Sequence, residues 1–415
     1  MTEELLMDDI FNWLNLQEAT DAVERNKGAA GIDGRNIAET KAHLNVHWPE
    51  IDAKLRAGKY VPSPVMGVMI PKADGGERRL GIPTVQDRII QQAIQQVLQT
   101  KFNGDFSHFS YGYRPHLSAH RAIEQAQRLV QAGKDWVVDI DISAFFDEVN
   151  HDILMYQIEQ KINDKRVLGL IRTYLKTPIV IKGEIQKRSK GVPQGSPLSP
   201  LLANIYLDKL DKELEKRELS FCRYADDVVI FVSSERSAQR VLASLSTWIE
   251  THLKLRVNPT KSGTGRPWES QFLGFRITRK HHIVVAPKAI DKFKGNVRKL
   301  WNARQSLTSK ALVQQWQRYS RGWWNYFKRA IDWHVKRWEG WVRRHIRKCF
   351  WQRWHNRKGR LKALQRLGVS PELQKTASSS RGAWRIAKSP AMHRALSNGT
   401  LRAYKIYMPS EFGVA

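Results

Sequence analysis

The 415-residue chain has only two cysteines, Cys222 and Cys349, and only 40 acidic residues against 69 Lys and Arg. So few thiols exclude a disulfide framework and fit a reducing compartment, so a cytoplasmic location is expected. Both cysteines lie in apolar surroundings and read as core thiols. No run of about 18 apolar residues occurs, which excludes a membrane-spanning helix. The start, Met1-Thr2-Glu3-Glu4, has neither a basic nor an apolar segment and does not read as a secretory signal. There is no convincing internal repeat and no long linker. What the chain has in excess is positive charge, +29 overall, which calls for a polyanionic partner. Its length allows two to three domains.

The charge is concentrated. Between Lys288 and Arg366 there are 23 Lys or Arg against the three acids Asp291, Asp332 and Glu339, which is +20 of the +29. Nine of the 15 tryptophans fall there too, from Trp301 to Trp354. Cations interleaved with aromatics suit a surface that neutralises phosphate and stacks on bases. Val335, Trp338, Val342, Ile346 and Cys349 recur at three- and four-residue steps, so part of this aromatic content is core.

Acids matter most where they cluster. Tyr224-Ala225-Asp226-Asp227 sits between the largely apolar Phe221-Cys222-Arg223 and the apolar run from Val228 to Val232. The pattern predicts a strand, a tight turn and a strand, with both acids at the turn. Only a turn lets neighbouring side chains aim into one space. Two such carboxylates repel, and a cation between them relieves this. Hard oxygen ligands favour Mg²⁺. Trp136 to Ile142 is a second strand pattern, with Asp139 and Asp141 on one face. Carboxylates from separate segments are what two-metal phosphoryl chemistry needs, with ions about 3.5–4 Å apart. Asp141, Asp226 and Asp227 would supply them, and Asp139 competes with Asp141 on its face.

With these motifs the chain resembles the group II intron-encoded reverse transcriptases and maturases, close to the compact bacterial group IIC type. Asp141 stands five residues before Phe146, as in that family's first palm motif, and Tyr224-Ala225-Asp226-Asp227 is its second. Pro193-Gln194-Gly195-Ser196-Pro197-Leu198-Ser199-Pro200 resembles the segment supporting template and incoming nucleotide. Ile70-Pro71-Lys72 with Arg78 and Leu80-Gly81-Ile82-Pro83 resembles the fingers motif gripping the triphosphate, and Ser110 to Pro115 the next one. Asn258 to Ser262 and Phe272 to Phe275 resemble late palm motifs, and Gly322 to Phe327 the maturase thumb signature.

The resemblance implies an α+β right-hand polymerase of fingers, palm with an antiparallel sheet and helical thumb, plus a small basic helical segment. The expected divisions are 1–58 N-terminal extension, 59–130 fingers, 131–285 palm with part of the fingers, 286–345 thumb, and 346–415 DNA-binding segment. It also implies RNA-directed DNA synthesis with Mg²⁺ and binding of intron RNA. The expected partners are an RNA template, a DNA primer or target and deoxynucleoside triphosphates, without a membrane. Asp141, Asp226, Asp227 and the Ile142 carbonyl would hold metal. Lys72 and Arg78 would neutralise the triphosphate, Gln194 contact the nucleotide sugar and minor-groove side, Phe146 exclude a 2′ hydroxyl, and Lys261 give a proton to the leaving pyrophosphate. Asp147 reads equally as a helix N-cap. With no cysteine after Cys349, the Cys- and His-dependent nuclease of many relatives is expected to be missing. A domesticated, intron-free enzyme of repair or phage defence, and a maturase acting mainly as an RNA chaperone, are the alternatives.

Overall fold

The computed structural model describes residues 6–71 and 75–413, which form two compact units, Met1–Arg266 and Pro267–Ala415. Lys72 lies outside the described residues.

The first unit opens with helices Leu6–Phe11, Trp13–Arg25 and Ile37–Arg56. Ile37–Arg56 begins with a capping box, in which Asn36 and Glu39 each accept a backbone N–H of the other. Eight strands follow: β1 (Val65–Pro71), β2 (Glu77–Ile82), β3 (Trp136–Ile140), β4 (Ile179–Ile181), β5 (Glu184–Gln186), β6 (Ser220–Tyr224), β7 (Asp227–Val232) and β8 (Gly263–Gly265). One sheet has the order β2-β1-β4-β5 and the other β6-β7-β3-β8. The second is antiparallel throughout. Its central strands are apolar on both faces, so Val138, Ile140, Val228, Ile230 and Phe221 enter one core with the surrounding helices.

The apolar stretch around Ile89–Leu98 forms the helix Val85–Asn103, buried along most of its length as its pattern predicts. Its first turn carries Asp87, which is 1% exposed. This carboxyl accepts from Tyr60 Oη at 2.8 Å, Tyr174 Oη at 3.1 Å, Thr84 Oγ1 at 2.7 Å and Ser63 N at 3.2 Å. Burial pushes its pKa up while these donors oppose the rise. Four donors on one buried acid tie three segments of the first unit together.

In the second unit, strands β9 (Phe275–Ile277) and β10 (Ile283–Val285) pair antiparallel, followed by helices Pro287–Leu300, Ser309–Phe327 and Asp332–Arg353. The hairpin 275–285, placed by sequence at the end of the palm, thus falls in the second unit. The expected boundary at 345/346 lies inside helix Asp332–Arg353. One core joins Phe293, Trp301 and Trp316 with Met392, Leu401 and Met408, so thumb and tail residues pack together. Trp316 Nε1 donates to Tyr407 O at 2.8 Å and Glu339 accepts from Ser410 N at 2.9 Å. Among the described residues no helix is long and apolar enough to cross a membrane.

Candidate active site

Tyr224 pairs with Asp227 across β6 and β7, which leaves Ala225 and Asp226 as a two-residue turn. Ala225 has φ 57°, a left-handed conformation that a non-glycine residue keeps only when its surroundings enforce it. Those surroundings are specific. Arg223 Nη1 donates to Ala225 O at 3.0 Å and to Asn204 Oδ1 at 2.9 Å. Asn204 Nδ2 donates to Gly112 O at 2.9 Å. Gly112 lies against the turn so closely that a Cβ there would sit 2.3 Å from Ala225 N. Asp211 takes Arg223 in a fork, Nε at 2.7 Å and Nη2 at 2.5 Å. Arg223, Asp211 and Asn204 are all 0% exposed.

Sequence reasoning missed this clamp. A signal was present: Asn204 and Asp211 are seven residues apart on helix Ser199–Lys216, so they lie on one face of a largely buried helix. A buried helix face with such residues needs a partner, and Arg223 next to the acid turn was the available cation.

Ile140 pairs with Val228 at the end of the ladder, so Asp141 follows β3 directly where Asp227 begins β7. Asp139, opposite Val229, is on the same face. The Asp141 backbone is fixed by the loop Asn258 to Ser262. Asp141 N donates to Ser262 Oγ at 2.9 Å, and Asp141 O accepts from Asn258 N at 2.8 Å. Ile142 forms an isolated bridge with Val257, so the β3 pattern read to Ile142 ends as a regular strand at Ile140. The bonds that flank this bridge, Ser143 N to Arg256 O and Asn258 N to Asp141 O, do not use the Ile142 carbonyl. Lys261, exposed, stands in that loop next to Ser262.

The electrostatics show that these acids share one region. Burial, then Asp226 and Asp141, push Asp227 up to about 6. Burial, then Asp227 and Asp141, bring Asp139 to about 6 as well. Burial raises Asp226, Asp141 adds to the rise, and Arg78 opposes it. Asp227 is open to solvent at the strand end, yet protein surrounds it on most sides, which is what desolvates it. Among the described residues no three His, Cys, Asp or Glu side chains already form a tight metal cage. The donors gathered here are hard oxygens in mutual repulsion, which fits a hard divalent cation.

Beside the acids lies a cleft of about 820 Å³ lined by Arg78, Tyr113, Phe146, Gln194 and Arg88, among others. Arg78 projects from β2 and its Nε donates to Gln194 Oε1. The Gln194 backbone is held by Gly81 N, 2.7 Å from its carbonyl oxygen. Gly195 follows with φ 110°, and a Cβ there would lie 2.5 Å from Gly81 O, so glycine is required. Phe146 is 6% exposed and meets Phe145 edge-on at 5.2 Å. The cleft lining thus gathers Arg78, Phe146 and Gln194, while Asp141, Asp226, Asp227 and Lys261 are not part of it. Tyr113 was not foreseen. Its ring lies 6.4 Å from that of Tyr224, beside the acid turn. Asp147 is not an N-cap: it accepts from Arg79 Nη2 at 2.8 Å, and Asn150 caps the next helix.

Strand-end acids on an antiparallel sheet, next to a cleft carrying a cation, an amide and an aromatic floor, define a nucleotide-polymerising palm. The reverse transcriptase (RNA-dependent DNA polymerase) family profile matches residues 70–277, half of the chain, and the group II intron maturase-specific domain matches 290–368. The chain belongs to the reverse transcriptase family, with the α+β right-hand polymerase fold and RNA-directed DNA polymerase activity of that family, and its partners are nucleic acids.

It is 33% identical over 306 residues to Protein YkfC of Escherichia coli, covering 64% of this chain and 80% of that one. It is 38% identical to the group II intron-encoded protein LtrA of Lactococcus lactis, over 42% of this chain and 29% of LtrA. The putative COX1/OXI3 intron 2 protein of Saccharomyces cerevisiae is 34% identical over 46% of this chain and 22% of its own length. The chain therefore spans under a third of these two intron-encoded relatives. A partial Cas6-RT-Cas1–Cas2 complex is similar with TM-score 0.37, at 27% identity over 59% of this chain and 41% of that one. Apo telomerase from Candida tropicalis gives 0.43, at 17% identity over 58% of this chain and 60% of that one.

Proposed function

We propose that the protein copies RNA into DNA from deoxynucleoside triphosphates with Mg²⁺ held by Asp141, Asp226, Asp227 and the Ile142 carbonyl, and that it binds a group II intron RNA. The observation that supports this reading is that Asp226 and Asp141 both push up the pKa of Asp227, whose strand pairs with β3 as far as Ile140. The metal, when bound, lowers the pKa of an attacking hydroxyl and shields phosphate charge.

The chain's own groups do the rest. The Arg223 clamp keeps the acid turn in its left-handed form, so the carboxylates need no rearrangement to receive a cation. Arg78, fixed by Gln194, presents its remaining guanidinium N–H groups to the triphosphate, and Lys72 adds charge there. Gln194 touches the sugar and the minor-groove side of the new pair. Phe146, fixed by Phe145, closes the floor below the sugar so that a 2′ hydroxyl clashes. Lys261 donates a proton to the departing pyrophosphate. The basic second unit holds template and intron RNA, and the chain as a whole divides functionally near 58, 130, 285 and 345. Intron binding draws further support from the maturase-specific match at 290–368 and from the intron-encoded relatives.

The test is primer extension on a structured RNA with Mg²⁺ and deoxynucleotides, run beside intron-RNA binding. Asp226→Asn is expected to lower extension about a thousandfold or more while leaving binding within about twofold, since one metal ligand supplies several kcal/mol of transition-state stabilisation. Extension at the wild-type rate by Asp226→Asn defeats the assignment of the site. Extension without any intron-RNA binding favours the domesticated enzyme.

A further inference from the structure

The second unit contains a cavity of about 550 Å³, inside the ~300–1,000 Å³ range of sites that hold small organic groups. Helices Pro287–Leu300 and Asp332–Arg353 and the turn Ala383–Ile386 contribute to it. Three flat rings run along one wall. The Trp341 and His345 centroids are 4.2 Å apart, and those of His345 and Trp384 are 4.6 Å apart. Arg344 lies 3.7 Å over the Trp384 ring and donates to Trp384 O at 3.1 and 2.8 Å, which fixes that ring in place.

Trp341 and Trp384 are only half-buried, whereas the core tryptophans Trp301, Trp316 and Trp351 are at most 2% exposed. His345 is kept neutral at pH 7 by burial and by Lys348, Arg298 and Arg344, which hold it at about 4. Arg298, Arg304 and Lys348 also line the cavity, no acid does, and Asn302 and Gln352 add side-chain amides.

Each part answers one part of a nucleotide. Flat uncharged ring faces stack a base, amides pair with its edge, and unopposed cations meet phosphate. A duplex keeps its bases inside, so only an unpaired nucleotide can enter such a pocket. We propose that this cavity captures one unpaired nucleotide of a structured RNA, with its base against the half-buried Trp341 and its phosphate on Arg298, Arg304 and Lys348. The proposal rests on the reading that the second unit binds RNA and names the feature of RNA it selects.

The experiment measures binding of the full chain to a labelled RNA hairpin carrying one bulged adenosine, and to the same hairpin fully paired. Wild type is expected to prefer the bulged hairpin by about fivefold or more, as stacking one base on aromatic side chains gives. Trp341→Ala is expected to reduce that preference below about twofold while binding to the paired hairpin stays unchanged. The double variant Arg298→Ala/Arg304→Ala, at two exposed positions, is expected to do the same. Equal affinity of wild type for both hairpins overturns the proposal, and so does a preference that survives both variants. An equal loss on both hairpins in both variants also overturns it, because the pocket then acts on all RNA alike. In each of these outcomes, salt-sensitive binding of the paired hairpin leaves the RNA-binding reading standing. If neither hairpin binds, both readings fall.

Discussion

In the first unit Asp226 and Asp227 sit at a turn whose backbone Arg223 holds from behind, and the charges that face the cleft repel one another. In the second unit Arg344 and Arg298 lie over tryptophan rings, and the charges that face outward are mostly of the other sign. Both regions concentrate like charge. The first does so on a rigid scaffold, with one fully buried ion pair of 0% exposed partners. The second spreads its charge over helix surfaces whose cores are packed by aromatic rings. The difference follows from what each must hold. A small cation needs ligands fixed to within tenths of an ångström, whereas a polyanion chain is met by many exchangeable contacts.

Breaking the scaffold of the first unit gives the largest effect. Arg223→Gln leaves Asp211 buried without its cation, and a loss of about 3–5 kcal/mol in stability is expected by chemical denaturation. Arg223→Met combined with Asp211→Leu is expected to recover most of that stability, because no lone charge remains, but not the activity, because Ala225 loses its restraint. Full activity in the double variant would show that the turn holds itself.

Breaking the second unit calls for salt rather than mutation. Each phosphate neutralised on a single strand contributes a slope of about −0.7 in log affinity against log salt. About ten contacts would lower affinity by orders of magnitude on a modest salt increase. A flat salt response would take the basic helices out of the binding surface.

Two smaller effects sharpen the contrast. Phe146→Ala is expected to admit ribonucleotides in primer extension, and unchanged discrimination would make Phe146 a packing residue only. His345 has its folded pKa lowered to about 4 from an ordinary 6.5. The unfolded chain therefore binds the proton more readily. Stability from this group is complete above pH 6.5 and is lost as pH falls from 6.5 toward 4. His345→Phe is expected to flatten this part of the pH–melting curve, and an unaltered curve would assign the loss to other groups.

The strand–turn–strand at Asp226 and the face shared by Asp139 and Asp141 were legible as periodicity. Legible too were Arg78, Phe146 and Gln194, as motif residues, and the cleft gathers all three. Tyr113 and the Asn204–Asp211–Arg223 clamp were not read, since their contacts join different elements and only packing brings them together. The functional boundary read at 345/346 falls within one continuous helix, Asp332–Arg353.

Taken alone, the amino-acid order determined the signs of charge, the strand and helix periods, and which residue types stand at each turn, because these depend on neighbours along the chain. Tertiary structure alone decided that Asp141 lies near enough to raise Asp227, that one arginine restrains the acid turn, and that Trp341 and Trp384 border one cavity. Pairing register and packing are relations between distant segments, fixed only when burial and hydrogen bonding are satisfied all at once.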